Sequence, residues 1–352
     1  MSAQRYDGLD AVRAGAMLLG LAYHATYSWL PRVAPWYFVA DTSPVDGLQF
    51  VTGFLHAWRM QLFFVLSGFF SHLVFERRGA AFLGERSRKL LVPLLVALPV
   101  VLACDFALRR ASFEYGLMSE DYALGADFRF APVHLWFLIY LWCFCVIAWA
   151  APTTPFFTQL ISRASKFAPS LLVLAVPTCV GLWFHPENKP DHFFWPQPFE
   201  LLHYGLFFAF GWWLWPQREH VASLRTWAPV FLLAGLGLSA WVFTGSRQWQ
   251  PEGQVLTGLI AWLLSLGALG LAFSVRSAER PGLRLLVDAS YWTYLVHYPL
   301  VLAFQLLFAR TAGPGLAEYA LTVAFTFAIC LTTFVLLVRR SVLAPWLGVR
   351  AR

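Results

Sequence analysis

An arginine and a histidine, Arg13 and His24, lie eleven residues apart in one apolar stretch near the start of the chain. Eleven steps of about 100° end roughly 20° beyond three full turns, so a helix carries both side chains on one face, roughly 16 Å apart along its axis. Arginine grips phosphate through paired N–H bonds, and imidazole is the usual general base for a hydroxyl. Asp10, one turn before Arg13, is spaced to orient the guanidinium as an i, i+3 pair. One chemistry this spacing supports is a tethered donor: a coenzyme A thioester held by its phosphates at Arg13 has an arm of the right order of length to bring its acyl group to His24. Each residue also has a plainer reading. Arg13 snorkels to lipid phosphate, His24 is a core histidine bonded to a neighbouring helix, and Asp10 is an acid favourable to the first turn.

The elements that position these residues follow from composition. Of 352 residues, 59% are hydrophobic and 13% charged, against about half and a quarter in soluble domains, which excludes a soluble globular protein. Apolar blocks recur at 10–30, 48–75, 90–108, 132–151, 168–185, 201–216, 227–244, 254–275, 287–308 and 316–338, each near the roughly 20 residues that cross a bilayer. The run from Leu90 to Ala103 is apolar on every face, without the alternation of a membrane strand. The expectation is an all-α polytopic membrane protein of about ten transmembrane helices, with 1–352 as a single membrane domain and no separate soluble one.

Short cytoplasmic loops collect Lys and Arg. Seventeen of the 26 fall on one set of connections and seven on the other, with Arg13 and Arg59 inside spans; both termini are therefore expected in the cytoplasm. The net charge of +7 reads as topology, with membrane lipid as partner and no nucleic acid, since no continuous basic face is present. The first span, interrupted by Arg13, is expected to stay in the mature chain. Cys104, Cys143, Cys145, Cys179 and Cys330 all fall in apolar spans and read as buried thiols; Cys143 and Cys145 point about 200° apart on a helix, so no metal site is indicated. Ser67-Gly68 reads as a close-packing pair, not a nucleophile. The sequence carries no signal for an oligomeric state.

Five segments resemble the acyltransferase-3 family of integral membrane acyltransferases, in family order. They are Leu9-Asp10-Ala11-Val12-Arg13 with His24, Phe63-Phe64-Val65-Leu66-Ser67-Gly68-Phe69, Arg86-Ser87-Arg88-Lys89-Leu90-Leu91-Val92-Pro93, His134-Leu135-Trp136-Phe137-Leu138, and the run from Ser290 to Pro299. Within that family, the run from His56 to Val65 is similar to the subgroup that places succinyl groups on osmoregulated periplasmic glucans. Lys89 departs from the pattern, standing where the family has arginine and losing the bidentate fork.

The resemblance implies a bacterial inner-membrane enzyme that carries no permanently bound cofactor and uses acyl-CoA, succinyl-CoA in the subgroup, as donor for a cell-envelope glycan. His24 is then the general base, supported by Arg13 and Asp10. Arg13, with Arg86, Arg88 and Lys89 of a basic cytoplasmic loop, forms the cytoplasmic face that holds the donor. Arg59, a cation inside the second span, receives the succinyl carboxylate or the thioester oxyanion, unless it pairs with Asp105 or backbone carbonyls. His134 and Trp136, at the outer start of the fourth span, line a sugar-accepting mouth or belong to an ordinary aromatic belt. His297 and Tyr294 form a polar stripe near mid-membrane. Attack is expected to be direct, with an acyl-histidine route open. The outer aromatics Trp36, Tyr37, Tyr115, Tyr122, Phe193, Phe194 and Trp195 bind sugar or are the Trp and Tyr that any membrane interface collects, and the 109–131 connection is a place to sort acceptors. The competing reading is a transporter or flippase with Arg13, Arg59, His24 and His297 as its pathway; no pair of corresponding interrupted spans supports it.

Overall fold

The computed structural model describes residues 7–31, 37, 39, 43–117, 131–150, 159, 161–164, 166–185, 193–245, 247–275, 281–311 and 313–341, with 344 and 347. Trp36, Tyr122 and residues 118–130 of the long outer connection lie outside the described residues. Among those described there is no strand, and ten helices of ten residues or more: α1 Asp7–Thr26, α2 Gly47–Arg78, α3 Phe82–Glu114, α4 Trp136–Ala150, α5 Ala175–Phe184, α6 Pro198–Leu214, α7 Ala222–Phe243, α8 Pro251–Ser274, α9 Pro281–Phe308 and α10 Gly315–Thr333.

Each apolar block of the sequence coincides with a helix, but the bounds differ in instructive ways. Hydropathy marks only the apolar middle, whereas α2 runs 32 residues to Arg77 and Arg78 and stops at Gly79, whose φ of 50° reverses the chain. The expected basic loop is instead the start of α3, which opens at Phe82 after one 3-10 turn, because Glu85 can pair with Lys89 one turn on. The fifth span begins as a 3-10 segment, Ala168–Leu174, before α5. Pro198 and Pro251 open α6 and α8 at the first turn, where a missing N–H costs nothing. Among the described residues, five stretches are long and apolar enough to cross a membrane: Gly47–Glu114, which holds both α2 and α3, then Val133–Ala150, Ala222–Phe243, Pro251–Ser274 and Gly315–Val338.

α8 is the most enclosed helix and packs against α7, α5, α2 and α1. Its Trp262 is fully buried, stacked on Phe207 of α6 and donating to Thr178 of α5 at 2.9 Å. Where α2 meets α6 the two backbones touch: a Cβ on Gly68 would strike the Phe208 carbonyl, and one on Gly211 the Val65 carbonyl. The expected small-residue contact at Gly68 is thus present. α7 and α10 turn apolar side chains such as Leu233 and Leu321 outward, the surface a lipid-facing helix presents. α1 lies among α2, α8, α9 and α10, so both ends of its polar face meet other elements.

Candidate active site

The upper cluster is built by three elements. α1 supplies His24, the 3-10 turn Val133–Leu135 supplies His134, and α9 supplies His297. Ring centres lie 5.4 Å apart for His24 and His297, 5.0 Å for His134 and His297, and 6.4 Å for His24 and His134. Tyr298 packs against both His24 and His134. Pro299 cannot donate to the Leu295 carbonyl one turn before it, and the carbonyls just before that one, of Tyr294 and Thr293, accept side-chain donors as well. The Tyr294 carbonyl lies 3.1 Å from Nε2 of His134 and 2.9 Å from Nδ1 of His297, which also reaches the Thr293 carbonyl at 3.0 Å. Tyr294 returns the bond, its hydroxyl donating to the His134 carbonyl at 2.9 Å.

A carbonyl only accepts, so Nε2 of His134 and Nδ1 of His297 carry their hydrogens. Their other nitrogens, Nδ1 and Nε2 respectively, are buried and without a partner among the described residues. Val133, immediately before His134, has φ of 48°, a left-handed conformation that costs a β-branched residue of order 1–3 kcal/mol; the strain sits where the chain turns His134 inward.

Arg59 lies beside this cluster. Its guanidinium sits 4.9 Å from the centre of the Tyr23 ring, over a gap kept by Gly20, where a Cβ would strike the arginine. It has no carboxylate partner among the described residues, and its Nε is buried and unpartnered. Asp105 pairs instead with Arg109 at 2.8 Å, one turn along α3, so the alternative in which it neutralises Arg59 is not realised. Tyr23 also bonds His56 at 3.0 Å and Tyr27 at 2.6 Å, and Tyr27 stacks on Tyr37. Tyr37 donates at 2.7 Å to Gln305 of α9, whose amide donates at 3.2 Å to the His24 and Ala25 carbonyls. Gln305 thereby caps the end of α1 that bears His24. Exposed His56 and half-buried His24 give this otherwise buried cluster its accessible side between α1 and α2.

The lower cluster gathers around Phe70 of α2. Arg13 pairs with Asp10 at 3.0 Å, as the spacing predicts, and lies 5.1 Å from the Phe70 ring. Arg86 donates to the Phe70 carbonyl at 3.0 Å, while its Nε is buried without a partner. The other two basic residues do not join them. Arg88 is exposed and points about 200° from Arg86 around the helix; Lys89 is 2.8 Å from Glu85, which also takes Arg78 at 2.9 Å.

The structure also places the other two residues of the fourth span. His134 is 5% exposed, delivered by the 3-10 turn to the rings of His24 on α1 and His297 on α9. Trp136, two residues on, points elsewhere and packs among Phe64, Tyr140 and Tyr204. Tyr23 and Gln305 went unread in the sequence, while His56 entered only as the start of the run similar to the glucan subgroup and Tyr37 only as an outer aromatic. His56 had a local signal, lying three residues before Arg59 on one helix face; Gln305 had none, since its partners are about 280 residues away. A second buried pair, Gln61 and His203 at 3.3 Å, joins α2 to α6.

Comparison with known proteins gives the family. A family model described as an acyltransferase domain matches residues 6–337. The Glucans biosynthesis protein C of Salmonella typhi and that of Salmonella typhimurium are each 24% identical over 360 aligned positions, covering 93% of the chain and 90% of the relative. The protein of the same name from Salmonella paratyphi B is 24% identical over 357. No solved structure matches.

Proposed function

The chain belongs to the acyltransferase-3 family, and from that premise we propose that it moves an acyl group, best read as succinyl, from cytoplasmic acyl-CoA to a hydroxyl of a periplasmic glucan. The observation that carries this reading is the division of one helix face: Arg13 and Arg86 both lie against Phe70 at its lower end, and His24 meets His134 and His297 at its upper end. Two guanidiniums gathered at one residue suit phosphates, and an imidazole whose ring has no hydrogen bond among the described residues is free to take a proton.

In this scheme Arg13 and Arg86 hold the donor phosphates, with Asp10 orienting Arg13, and the pantetheine arm runs up the α1 face. Nε or Nδ of His24 takes the acceptor hydroxyl proton as the oxygen attacks the thioester carbonyl. The C–S bond breaks, the new C–O ester bond remains, and His24 returns the proton to the coenzyme A thiolate. Arg59, a buried cation with no carboxylate partner among the described residues, binds the far carboxylate of a succinyl group. The glucan acceptor rests on the name of the relatives, and the inner-membrane location, ten crossings and cytoplasmic termini rest on the charge distribution and the family. Coenzyme A is a substrate here, and the scheme calls for no resident cofactor.

The test is mass spectrometry of periplasmic glycans from cells with and without the gene, together with thiol release from succinyl-CoA by the purified protein. Ester-linked succinyl that disappears with the gene is the expected result. Solute movement across vesicles without thioester cleavage would establish the transporter reading instead.

A further inference from the structure

The upper cluster contains an imbalance of hydrogen-bonding groups that the proposed transfer does not use up. His134 and His297 are each locked into one neutral tautomer by the Tyr294 carbonyl, leaving two buried nitrogens that can only accept, His134 Nδ1 and His297 Nε2. They cannot satisfy each other. Neutral His24 brings one N–H and one lone pair. In the structure neither of the two buried nitrogens receives that N–H; with its lone pair on the reacting hydroxyl, its one N–H can serve at most one of the two acceptors, and the nearer is His297, at 5.4 Å between ring centres against 6.4 Å for His134. His134 Nδ1 is left as a buried acceptor, and leaving it unmet costs the desolvation of the group.

Resting on the acyltransferase reading, we infer that His134 Nδ1 accepts a hydrogen bond from a second hydroxyl of the acceptor, adjacent to the one His24 deprotonates, so that the site selects a vicinal diol over a lone alcohol. Rings 6.4 Å apart leave room for two neighbouring oxygens, each at a hydrogen-bond length of about 2.8 Å. A sugar ring offers that pair; a lipid alcohol or a serine does not. His134 is then a specificity residue, and the strained Val133 beside it is what aims it.

The test uses the full-length protein in nanodiscs with methyl β-glucoside and its monodeoxy analogues. Binding is followed by saturation-transfer NMR without donor, and ester formation by mass spectrometry and thiol release with succinyl-CoA and acetyl-CoA. One deoxy analogue, lacking the hydroxyl next to the acylated position, should bind about tenfold more weakly to the wild type, the loss of one hydrogen bond to a buried acceptor. His134→Leu should bind the parent as weakly as that analogue, and His134→Asn, which keeps an acceptor oxygen, should restore part of the difference. Equal binding of all the glucosides, no binding of any, or a His134→Leu protein that still discriminates would overturn the inference. Ester formation without discrimination removes the subsite and leaves the acyltransferase reading intact. Discrimination without any thioester cleavage does the reverse.

Discussion

His24, Arg13 and Arg59 have different chemical duties, and their substitutions separate them. His24→Ala should lower acyl transfer by about 10²–10⁴-fold, the range for losing a general base, while the protein still inserts and still binds coenzyme A; thiol release at saturating donor measures it. Arg13 lies partly exposed on Phe70 and Asp10, so its ion pair contributes little to stability. Arg13→Lys should therefore leave thermal stability near wild type yet raise the KM for acyl-CoA almost as far as Arg13→Ala, because lysine cannot make the paired contact with phosphate. A lysine variant with wild-type KM would mean that charge alone suffices. Arg59→Met exchanges a buried cation for an apolar side chain of similar length. It should lose succinyl transfer far more than acetyl transfer, since only the succinyl group brings a carboxylate to be matched; equal loss of both would place Arg59 at the thioester carbonyl or in the fold.

At the scale of elements, α2 does two jobs. One face presents His56 and Arg59 to α1, and another packs through Gly68 onto α6 with the backbones in contact. Backbone does not yield as a side-chain tip does, so Gly68→Ala should destabilise by about 1–3 kcal/mol, read as a fall in melting temperature in detergent. Ser67→Ala, one residue away, should leave transfer intact, as the absence of a nucleophilic role requires. The capping of α1 by Gln305 shows the same logic at a helix end: α9 both supplies His297 and holds the turn that carries His24, so the relative position of the two rings is set by one helix pair.

For the whole molecule, the prediction concerns topology. The charge count puts 89, 163, 218, 284 and both termini on one side, and the Arg13–Arg86 cluster on that same side, where cytoplasmic acyl-CoA is found. Reporter fusions after 89, 166, 225 and 284 should all be active in the cytoplasm, and fusions after 110, 189, 247 and 310 in the periplasm. A single reversed pair would shift the number of crossings and detach Arg13 from the donor's compartment.

Helical class, membrane solvent and the shared face of Arg13 and His24 were legible in the sequence because each is a local or summed property: hydropathy adds over a window, and the 3.6-residue period needs no partner. The Asp10–Arg13 pair was legible for the same reason. The family followed from ordered motifs. Helix ends were misread where charged residues continue the helix beyond its apolar middle, as with Arg86, Arg88 and Lys89 in α3, since apolarity and helicity are separate quantities. What only the tertiary structure decided is which distant groups meet. His134 bonds a carbonyl 160 residues away, Asp105 chooses Arg109 over Arg59, and Gln305 closes the end of α1 across the chain. Such contacts arise from the packing of one helix against another, and the donors and acceptors they leave over, at His134, His297 and Arg59, exist only once that packing has been made.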